Sequence, residues 1–327
     1  MDAPVINQII NAALAIVFGV GGILLLYIVM DYSVNLLPDR WQARVRPWVY
    51  LTPMLAILGF YLVFPTINTI YISFLDSKSE NFAGFENYVW AFTSQDMHTA
   101  FRNNVLWIII VTSTTVGFGL LFAVLMDRVR YESVAKSLVF LPIAISMVGA
   151  SVIFRFIYAF KPAHVPQIGL LNAFVVRLGA EPVGWLVENA TNNFSLMAVM
   201  IWLQAGFATV ILSAALKSIP QEIIEAAKVD GANEWQIFWR IVTPMISSTI
   251  AVVSTTMVIN VLKVFDIVLV LTNGNRGTEV MANRMIKEMF DFRNFGRGSA
   301  VAVILLIAII PVMIVNIRRF LQQEAIR

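Results

Sequence analysis

The sequence contains no cysteine, and only two of its 327 residues are histidine. Without cysteine the chain can form no disulfide, no thiolate nucleophile and no cysteine-ligated metal site. The two histidines, His98 and His164, lie far apart in polar segments, without other ligand residues at metal-binding spacing. The sequence therefore predicts no metal site and no catalytic centre built on these residue types.

Charged residues are also scarce, because 13% of the chain is Asp, Glu, Lys or Arg whereas 59% is hydrophobic. Soluble domains are nearer half apolar and about a quarter charged. A water-soluble core of this size cannot hide so many apolar side chains, so membrane lipid must solvate much of the chain. The net charge of +3 is modest, and the basic residues lie between apolar runs, which argues against nucleic-acid binding.

Long apolar windows predict seven membrane-spanning segments. We expect helices, because unpaired strand edges are too costly in lipid and the apolar residues show no strand-like alternation. The first segment is too long for the core of a signal peptide, and no Lys or Arg precedes it, so we expect it to be retained. The segments lie at residues 9–30, 49–72, 104–126, 138–159, 194–215, 248–271 and 299–317.

The distribution of Lys and Arg predicts an amino terminus outside and a carboxyl terminus in the cytoplasm. Residues 276–297 do not fit this topology, because they lie on the predicted outer side and carry five positive charges. Within them, residues 278–290 show an amphipathic pattern, so we expect a helix in the outer interface with acidic partners near its cations. Over the first six segments the cytoplasmic loops carry Arg40, Arg44, Arg46, Arg128, Arg130, Lys136, Lys217, Lys228 and Arg240, the outer loops carry Lys78, Arg102, Lys161 and Arg177, and the carboxyl-terminal tail adds Arg318, Arg319 and Arg327.

Residues 217–246, between the fifth and sixth segments, carry the most informative pattern in the chain. Pro220 suits the first turn of a helix that continues to Val229, along which Glu225 and Lys228 are spaced to pair. Asp230-Gly231 then supplies a tight turn. A second helix follows and ends at Pro244, with one aromatic and apolar face made of Trp235, Phe238, Trp239 and Val242. This helix–turn–helix suits docking of a soluble partner; the alternative is an ordinary amphipathic cytoplasmic helix.

This stretch resembles the EAA loop of binding-protein-dependent ABC importers, which forms a coupling helix seated in a groove of the ATPase subunit. Thr243, Ser247 and Ser248 depart from the usual pattern near the helix end and leave the docking residues in place. The resemblance implies ATPase coupling through Glu225, Ala226, Ala227, Asp230, Gly231, Ala232, Phe238 and Pro244, with Ile241 also matching.

Two further runs resemble maltose-type and α-glucoside-type sugar permeases. They are Lys263-Val264-Phe265-Asp266 with Thr272-Asn273-Gly274, and the run from Phe295 to Ala300; Asn275-Arg276 replaces the frequent Gly-Pro after Gly274. The resemblance covers residues 50–317. It implies an all-α membrane protein with about seven transmembrane helices: an extra amino-terminal helix and cytoplasmic linker at residues 1–47, and a six-helix importer domain at residues 48–327.

The resemblance implies a permease subunit of an ATP-driven sugar importer in the prokaryotic cytoplasmic membrane, with oligosaccharides or α-glucosides as substrates. Its implied partners are a second, homologous permease, two ATPase subunits and an extracytoplasmic sugar-binding protein. No Gly-Lys dipeptide occurs in the chain, which excludes a Walker A phosphate loop. We therefore expect no enzymatic activity and no bound cofactor here, with ATP and Mg²⁺ held by the partner ATPase.

Polar side chains within two segments are candidates for the sugar path, because ionisable groups in a span usually face the bundle interior or a water-filled cavity. A structural pair between Lys263 and Asp266 is an alternative, and Trp is also enriched at membrane interfaces. The candidates are Asn260, Lys263 and Asp266 on the sixth segment, which lines the path in the resembling permeases, and Trp202, Gln204 and Phe207 on the fifth.

Two rival functions make different predictions. A secondary transporter for a small polar solute predicts inverted repeats and discontinuous helices at the midplane, and leaves the EAA-like loop unexplained. A membrane-embedded enzyme predicts His or Asp clusters at one membrane face, and the sequence contains none.

Overall fold

The structure, a computed structural model, describes residues 3–127 and 129–324. Arg128 and Arg327, two of the positive residues used to predict the topology, lie outside the described residues. Contacts divide the chain into two units, with the boundary after Asn68. The prediction of a boundary after residue 47 stays a prediction.

The first unit is a helical hairpin. Its helices are α1 (Ala3–Asn35) and α2 (Asp39–Leu58), followed by a π-helical turn (Gly59–Val63) and by α3 (Phe64–Ile72), within which the unit boundary falls. The Tyr50 hydroxyl donates to the Asp31 carboxylate at 2.8 Å, and the Arg46 guanidinium donates to the Asn35 side-chain oxygen at 2.8 Å. Residues 39–47, predicted to be a linker, are therefore helical and bonded to α1.

The second unit is also built of helices. In chain order they are α4 (Glu86–Thr93), α5 (Gln95–Met126), α6 (Glu132–Phe140) with a 3₁₀ turn (Leu141–Ala144), α7 (Met147–Ile157), α8 (Leu170–Arg177), α9 (Asn192–Lys217), α10 (Gln221–Val229), α11 (Glu234–Ile237) with a π-helical turn (Phe238–Val242), α12 (Thr243–Met245), α13 (Ser247–Leu262), α14 (Asp266–Leu271), α15 (Met281–Ile286) with a π-helical turn (Lys287–Asp291), and α16 (Phe295–Glu324).

Among the described residues, five continuous helices are long and apolar enough to cross a membrane, and two bent helix pairs raise the number to seven. The all-α membrane fold is thus confirmed, but two segments are not the simple helices that we predicted. The fourth is split between Glu132–Ala144 and Met147–Ile157, which meet at 100°. The sixth bends by 68° where it leaves the preceding loop and breaks again between Leu262 and Asp266.

The seam between α5 and α9 forms the centre of the second unit. Trp107 on α5 is fully buried, and its indole N–H donates to the side-chain oxygen of Asn193 on α9 at 3.2 Å. A Cβ atom on Gly119 would lie 2.5 Å from that of Ala208, so the helices touch with no room for a larger side chain. This close contact holds the spans α5 and α9 together.

The predicted interfacial helix at residues 278–290 lies inside the bundle, which corrects the expected location. Its helical part is α15 and the π-helical turn after it, and it packs against α5 and α16. The acidic partners are present as predicted: Lys287 pairs with Glu279 at 2.9 Å, and Arg284 pairs with Glu288 at 2.6 Å and with Asp96 at 2.7 Å. Because these carboxylates neutralise its cations, the polar face packs against protein instead of facing water.

Candidate coupling loop and transport path

The first half of the coupling loop, residues 217–246, folds as its sequence predicts. α10 spans Gln221–Val229, directly after Pro220. Gly231 has a φ of +82°, and the backbone N–H of Ala232 donates to the carbonyl of Ala227 at 2.9 Å. The positive φ turns the chain and closes the carboxyl end of α10, which is the conformation that glycine favours.

The second half begins at a capped helix end that the sequence analysis did not identify. The Asn233 side chain accepts from the Gln236 backbone N–H, while the Gln236 side chain accepts from the Asn233 backbone N–H. This reciprocal pair is a capping box. Pro244 lies one residue before the end of the helical run from Glu234 to Met245, close to the predicted end. The bend comes at Ile246.

The loop has a small core of its own. Ala227, Ile237 and Val242 are buried together and pack against Leu216 and Ile219 at the end of α9. The aromatic part of the predicted face forms, because the Trp239 ring packs edge-on against Trp235 and Phe238, with centroids 5.6 and 5.1 Å apart. Val242 is separated from these rings, because the π-helical turn adds a residue and breaks the expected spacing. Phe238 is half-buried and Val242 is buried, whereas the most exposed apolar side chains are Val229, Trp235 and Trp239.

Of the residues predicted to couple to an ATPase, only some have accessible side chains. Ala227 belongs to the loop's own core, and Ala232 and Phe238 are half-buried. The exposed members are Glu225, Ala226, Asp230, Gly231 and Pro244. The loop therefore presents an acidic first helix and the exposed tryptophans of the second.

The predicted pair between Glu225 and Lys228 is not formed. The Lys228 ammonium pairs instead with Glu234 at 3.0 Å, across the turn between α10 and α11. This exposed ion pair bridges the turn, and the Glu225 carboxylate has no ion pair among the described residues.

A charged cluster joins the start of the coupling loop to the loop between α5 and α6. The Lys217 ammonium lies 2.6 Å from a Glu132 oxygen and 3.4 Å from an Asp127 oxygen. Lys136 contacts the same Glu132 carboxylate and the buried Ser213 hydroxyl. We call these five residues the clasp. The sequence analysis missed it, although opposite charges at the ends of three neighbouring segments indicate such a cluster.

The candidate path residues on the sixth segment lie at its break. Asn260 is half-buried on α13, Lys263 is exposed in the gap after Leu262, and Asp266 begins α14. Within the described part of the chain, no ion pair joins Lys263 to Asp266. The structural alternative for these two residues therefore receives no support.

The candidates on the fifth segment point in different directions. Trp202 is 37% exposed and packs edge-on against Phe154, with ring centroids 5.3 Å apart. Gln204 is 8% exposed and Phe207 is half-buried, so both lie largely inside the bundle. Two residues correspond to about 200° of rotation along a helix, so Trp202 and Gln204 occupy different faces of α9.

A buried asparagine cluster, also missed, fixes the segment between α14 and α15. The Asn103 amide donates to the carbonyls of Gly277 and Glu279, each at 2.7 Å, and the Asn193 amide donates to the Asn103 oxygen at 3.1 Å. Asn104 accepts from the Met281 backbone N–H at 2.8 Å. The sequence does carry a signal for this cluster: two Asn-Asn dipeptides, at residues 103–104 and 192–193, lie near the amino-terminal ends of α5 and α9.

Replacing Asn103 with alanine is expected to destabilise the second unit. The change removes the donor to the Glu279 carbonyl and leaves the Gly277 carbonyl and the Asn193 amide with only their 3.3 Å bond to each other. Each buried group left unsatisfied costs about 1–3 kcal/mol. The measurement is the thermal unfolding midpoint of the purified protein in detergent. Asn275→Ala, at an exposed position of the same segment, is the matched control and should leave the midpoint unchanged.

A family model described as the inner membrane component of binding-protein-dependent transport systems matches residues 89–326. The chain belongs to this family. The match includes the coupling loop, both sets of path candidates and the clasp, and it leaves α1 to α3 outside. The chain is therefore a membrane subunit of a binding-protein-dependent transporter, as its EAA-like motif predicts.

Two relatives resemble the chain over most of its length. The osmoprotective compounds uptake permease protein GgtC of Synechocystis sp. is 64% identical over 85% of this chain and 100% of its own length. The α-glucoside transport system permease protein AglF of Rhizobium meliloti is 49% identical over 85% of this chain and 83% of its own length.

A solved structure shares the fold. A chain of a bacterial ABC transporter involved in the import of the acidic polysaccharide alginate superposes with a TM-score of 0.73 and 23% sequence identity, covering 86% of this chain and 99% of that chain. The architecture described above is thus the fold of an ABC importer membrane subunit.

Proposed function

We propose that the chain is one permease subunit of an ATP-driven importer of sugars, with α-glucosides as the favoured class. The observation that carries this proposal is the coupling loop, a helix–turn–helix with its own small core and an exposed acidic and aromatic face. The name of the relative AglF, an α-glucoside permease protein, supports this substrate class, and the name of GgtC, a permease for osmoprotective compounds, supports uptake of a small solute from outside the cell.

Coupling to the ATPase proceeds through the exposed residues of the loop. The Glu225 carboxylate meets a cation on the ATPase, and Trp235 fills an apolar groove beside it. Motion of the loop reaches the membrane by two connections: the clasp at Lys217, and the bent joint from α12 to α13. ATP and Mg²⁺ are held by the ATPase, and this chain supplies the moving joint.

Lys263 supplies a polar group on the sugar path. An exposed ammonium within a span does not face lipid, because a charge there is costly unless a cavity or a partner solvates it. The break between α13 and α14 likewise leaves backbone groups that need water or protein around them. Both features favour a position on a water-filled path, where Lys263 donates to sugar hydroxyls and Asp266 accepts from them.

The complete importer contains a second, homologous permease, two ATPase subunits and an extracytoplasmic sugar-binding protein. The family description supports the binding protein, as does the similar alginate importer, which was solved with its periplasmic protein carrying an alginate pentasaccharide. We place the amino terminus outside and the coupling loop and carboxyl terminus in the cytoplasm of the cell membrane, from the loop charges.

The alternative of a secondary transporter receives one point of support, since the fourth and sixth segments are discontinuous. Such breaks are common in secondary transporters. The coupling loop has no place in that mechanism, however, and membership of a binding-protein-dependent family favours the ATP-driven importer.

The proposed orientation is tested by labelling single cysteines, which the cysteine-free chain makes simple. Val229→Cys, 88% exposed in the coupling loop, should react with an impermeant thiol reagent only after the membrane is opened. Ala163→Cys, exposed between α7 and α8, should react in intact cells. Labelling of residue 229 from outside the cell would overturn both the orientation and the docking of a cytoplasmic ATPase.

A further inference from the structure

The short helix α4 and the turn before it expose large apolar side chains: Phe82 is 77% exposed, Phe85 70%, Val89 60% and Phe92 58%. These four side chains form the apolar face of α4, and Glu86 and Thr93 are exposed beside them. Asn87 and Ala91 lie on the buried side of the helix. A group of exposed rings of this size marks an interaction site for a partner or a membrane.

The segment that carries α4 is held firmly in place. The Asp76 carboxylate accepts from the Asn81 side-chain amide at 2.8 Å and from the Glu80 backbone N–H at 2.9 Å. These bonds, that from Asn81 first, hold the pKa of the Asp76 carboxyl below its usual range, so the turn stays charged and closed at neutral pH. Asn87 donates to the Leu75 carbonyl at 2.7 Å. The exposed aromatic rings are therefore presented by a fixed support.

The apolar face of α4 is continuous with the ends of two spans. The Phe85 ring packs edge-on against Phe74, just beyond the second span, with centroids 5.4 Å apart. The Phe92 ring stacks on Phe101 of α5, with centroids 5.6 Å apart. This continuity places the face beside the ends of the two spans, at the level where they leave the membrane.

A cation lies at the margin of this face. The Arg297 guanidinium lies 4.7 Å from the centre of the Trp90 ring and has no carboxylate partner among the described residues. Trp90 and Arg297 border a shallow hollow with Phe85, Glu86, Val89 and Thr93, and no ion pair joins Glu86 to Arg297 among the described residues. An aromatic face beside an unpaired cation is the pattern of groups that lie at the boundary between acyl chains and phosphate headgroups.

We propose that α4 and Phe82 form a phospholipid-binding surface. The helix lies along the membrane with Phe82, Phe85, Val89 and Phe92 among the upper acyl chains, and Arg297 lies at the level of the phosphates. Because α4 precedes α5, and the clasp follows the opposite end of α5, this leaflet is the one remote from the coupling loop. The surface anchors the ends of the second and third spans and the start of α16, independently of the substrate that is transported.

The test measures how deeply single labelled positions lie in lipid. Cysteine is introduced at Phe85 or Val89 in the full chain, labelled with bimane, and reconstituted in nanodiscs with the subunits that copurify with it. Emission is compared between phospholipids with and without bromine on the acyl chains, so that quenching by the nearby Trp90 cancels in the ratio. Ile109→Cys, 61% exposed on α5, is the control within the membrane, and Val229→Cys in the coupling loop is the aqueous control.

Brominated lipid is expected to reduce emission at residues 85 and 89 to the same extent as at residue 109, with none of this loss at residue 229. Bromine-insensitive emission at both positions, as at residue 229, would overturn the proposal. If that emission also changes on addition of the sugar-binding protein, the face is a protein-docking surface instead. These outcomes are read without transport, so they remain separate from the test of the proposed function.

Discussion

Replacing Gly231 with valine is expected to release the ATPase subunit from a permease that still inserts in the membrane. Gly231 has a φ of +82°, and a Cβ atom there would meet nothing within 4 Å. The cost is therefore backbone strain alone, about 1–3 kcal/mol for a side chain held in this region. Relief of that strain reorients α10 against α11. The measurements are copurification of the ATPase, sugar transport and ATP turnover.

A matched control separates docking from general strain. Gly179 has a φ of +83° and equally open surroundings, but it lies after α8, away from the coupling loop. Gly179→Val should keep the ATPase bound. Glu225→Lys, which reverses the charge of the exposed carboxylate without touching the turn, should weaken docking as Gly231→Val does. Normal ATPase retention and transport in both loop variants would remove the coupling assignment.

Lys263→Met is expected to abolish most sugar uptake while the complex assembles normally. The substitution keeps the length of the side chain and removes the ammonium. Loss of one hydrogen bond from a charged donor costs about 1.5–3 kcal/mol, which corresponds to roughly a ten- to hundredfold reduction in uptake at low sugar concentration. Uptake of labelled sugar and the subunit content of the purified complex are measured together.

The matched control for this change is Lys78→Met, at an exposed lysine in the turn before α4. It should leave uptake unchanged. Normal uptake in Lys263→Met would place residue 263 away from the sugar, whereas loss of the second permease from the complex would assign the lysine to the subunit interface. The two results therefore distinguish a peripheral residue from a structural one.

Features that depend on neighbouring residues follow directly from the sequence. The all-α membrane fold follows from the apolar runs, since lipid leaves the backbone few alternatives. The start of α10 after Pro220 and the turn at Gly231 follow from the backbone chemistry of proline and glycine. The acidic partners of Arg284 and Lys287 were also predictable, because cations that pack inside a membrane bundle require neutralisation.

Features that depend on distant partners were not predictable from local patterns. Arg284 and its partner Asp96 are 188 positions apart in the chain, so their proximity, and with it the burial of α15, emerges only from the packed bundle. The π-helical turn at Phe238–Val242 is another example, because it moves Val242 into the loop's core and separates it from Trp235. Helical periodicity assumes a regular helix and gives no indication of the extra residue.

The divided fourth segment has a consequence for how the chain enters the membrane during synthesis. Its second half, Met147–Ile157, has 11 residues and is therefore about 17 Å long, roughly half the thickness of the hydrocarbon core. Such a helix is too short to be inserted as an independent span. Because α7 packs against α9 and α14, its stable position depends on chain that is synthesised after it. Variants that weaken α9 or α14 are therefore expected to reduce the amount of correctly inserted protein. That amount should be measured before the transport rates of such variants are compared.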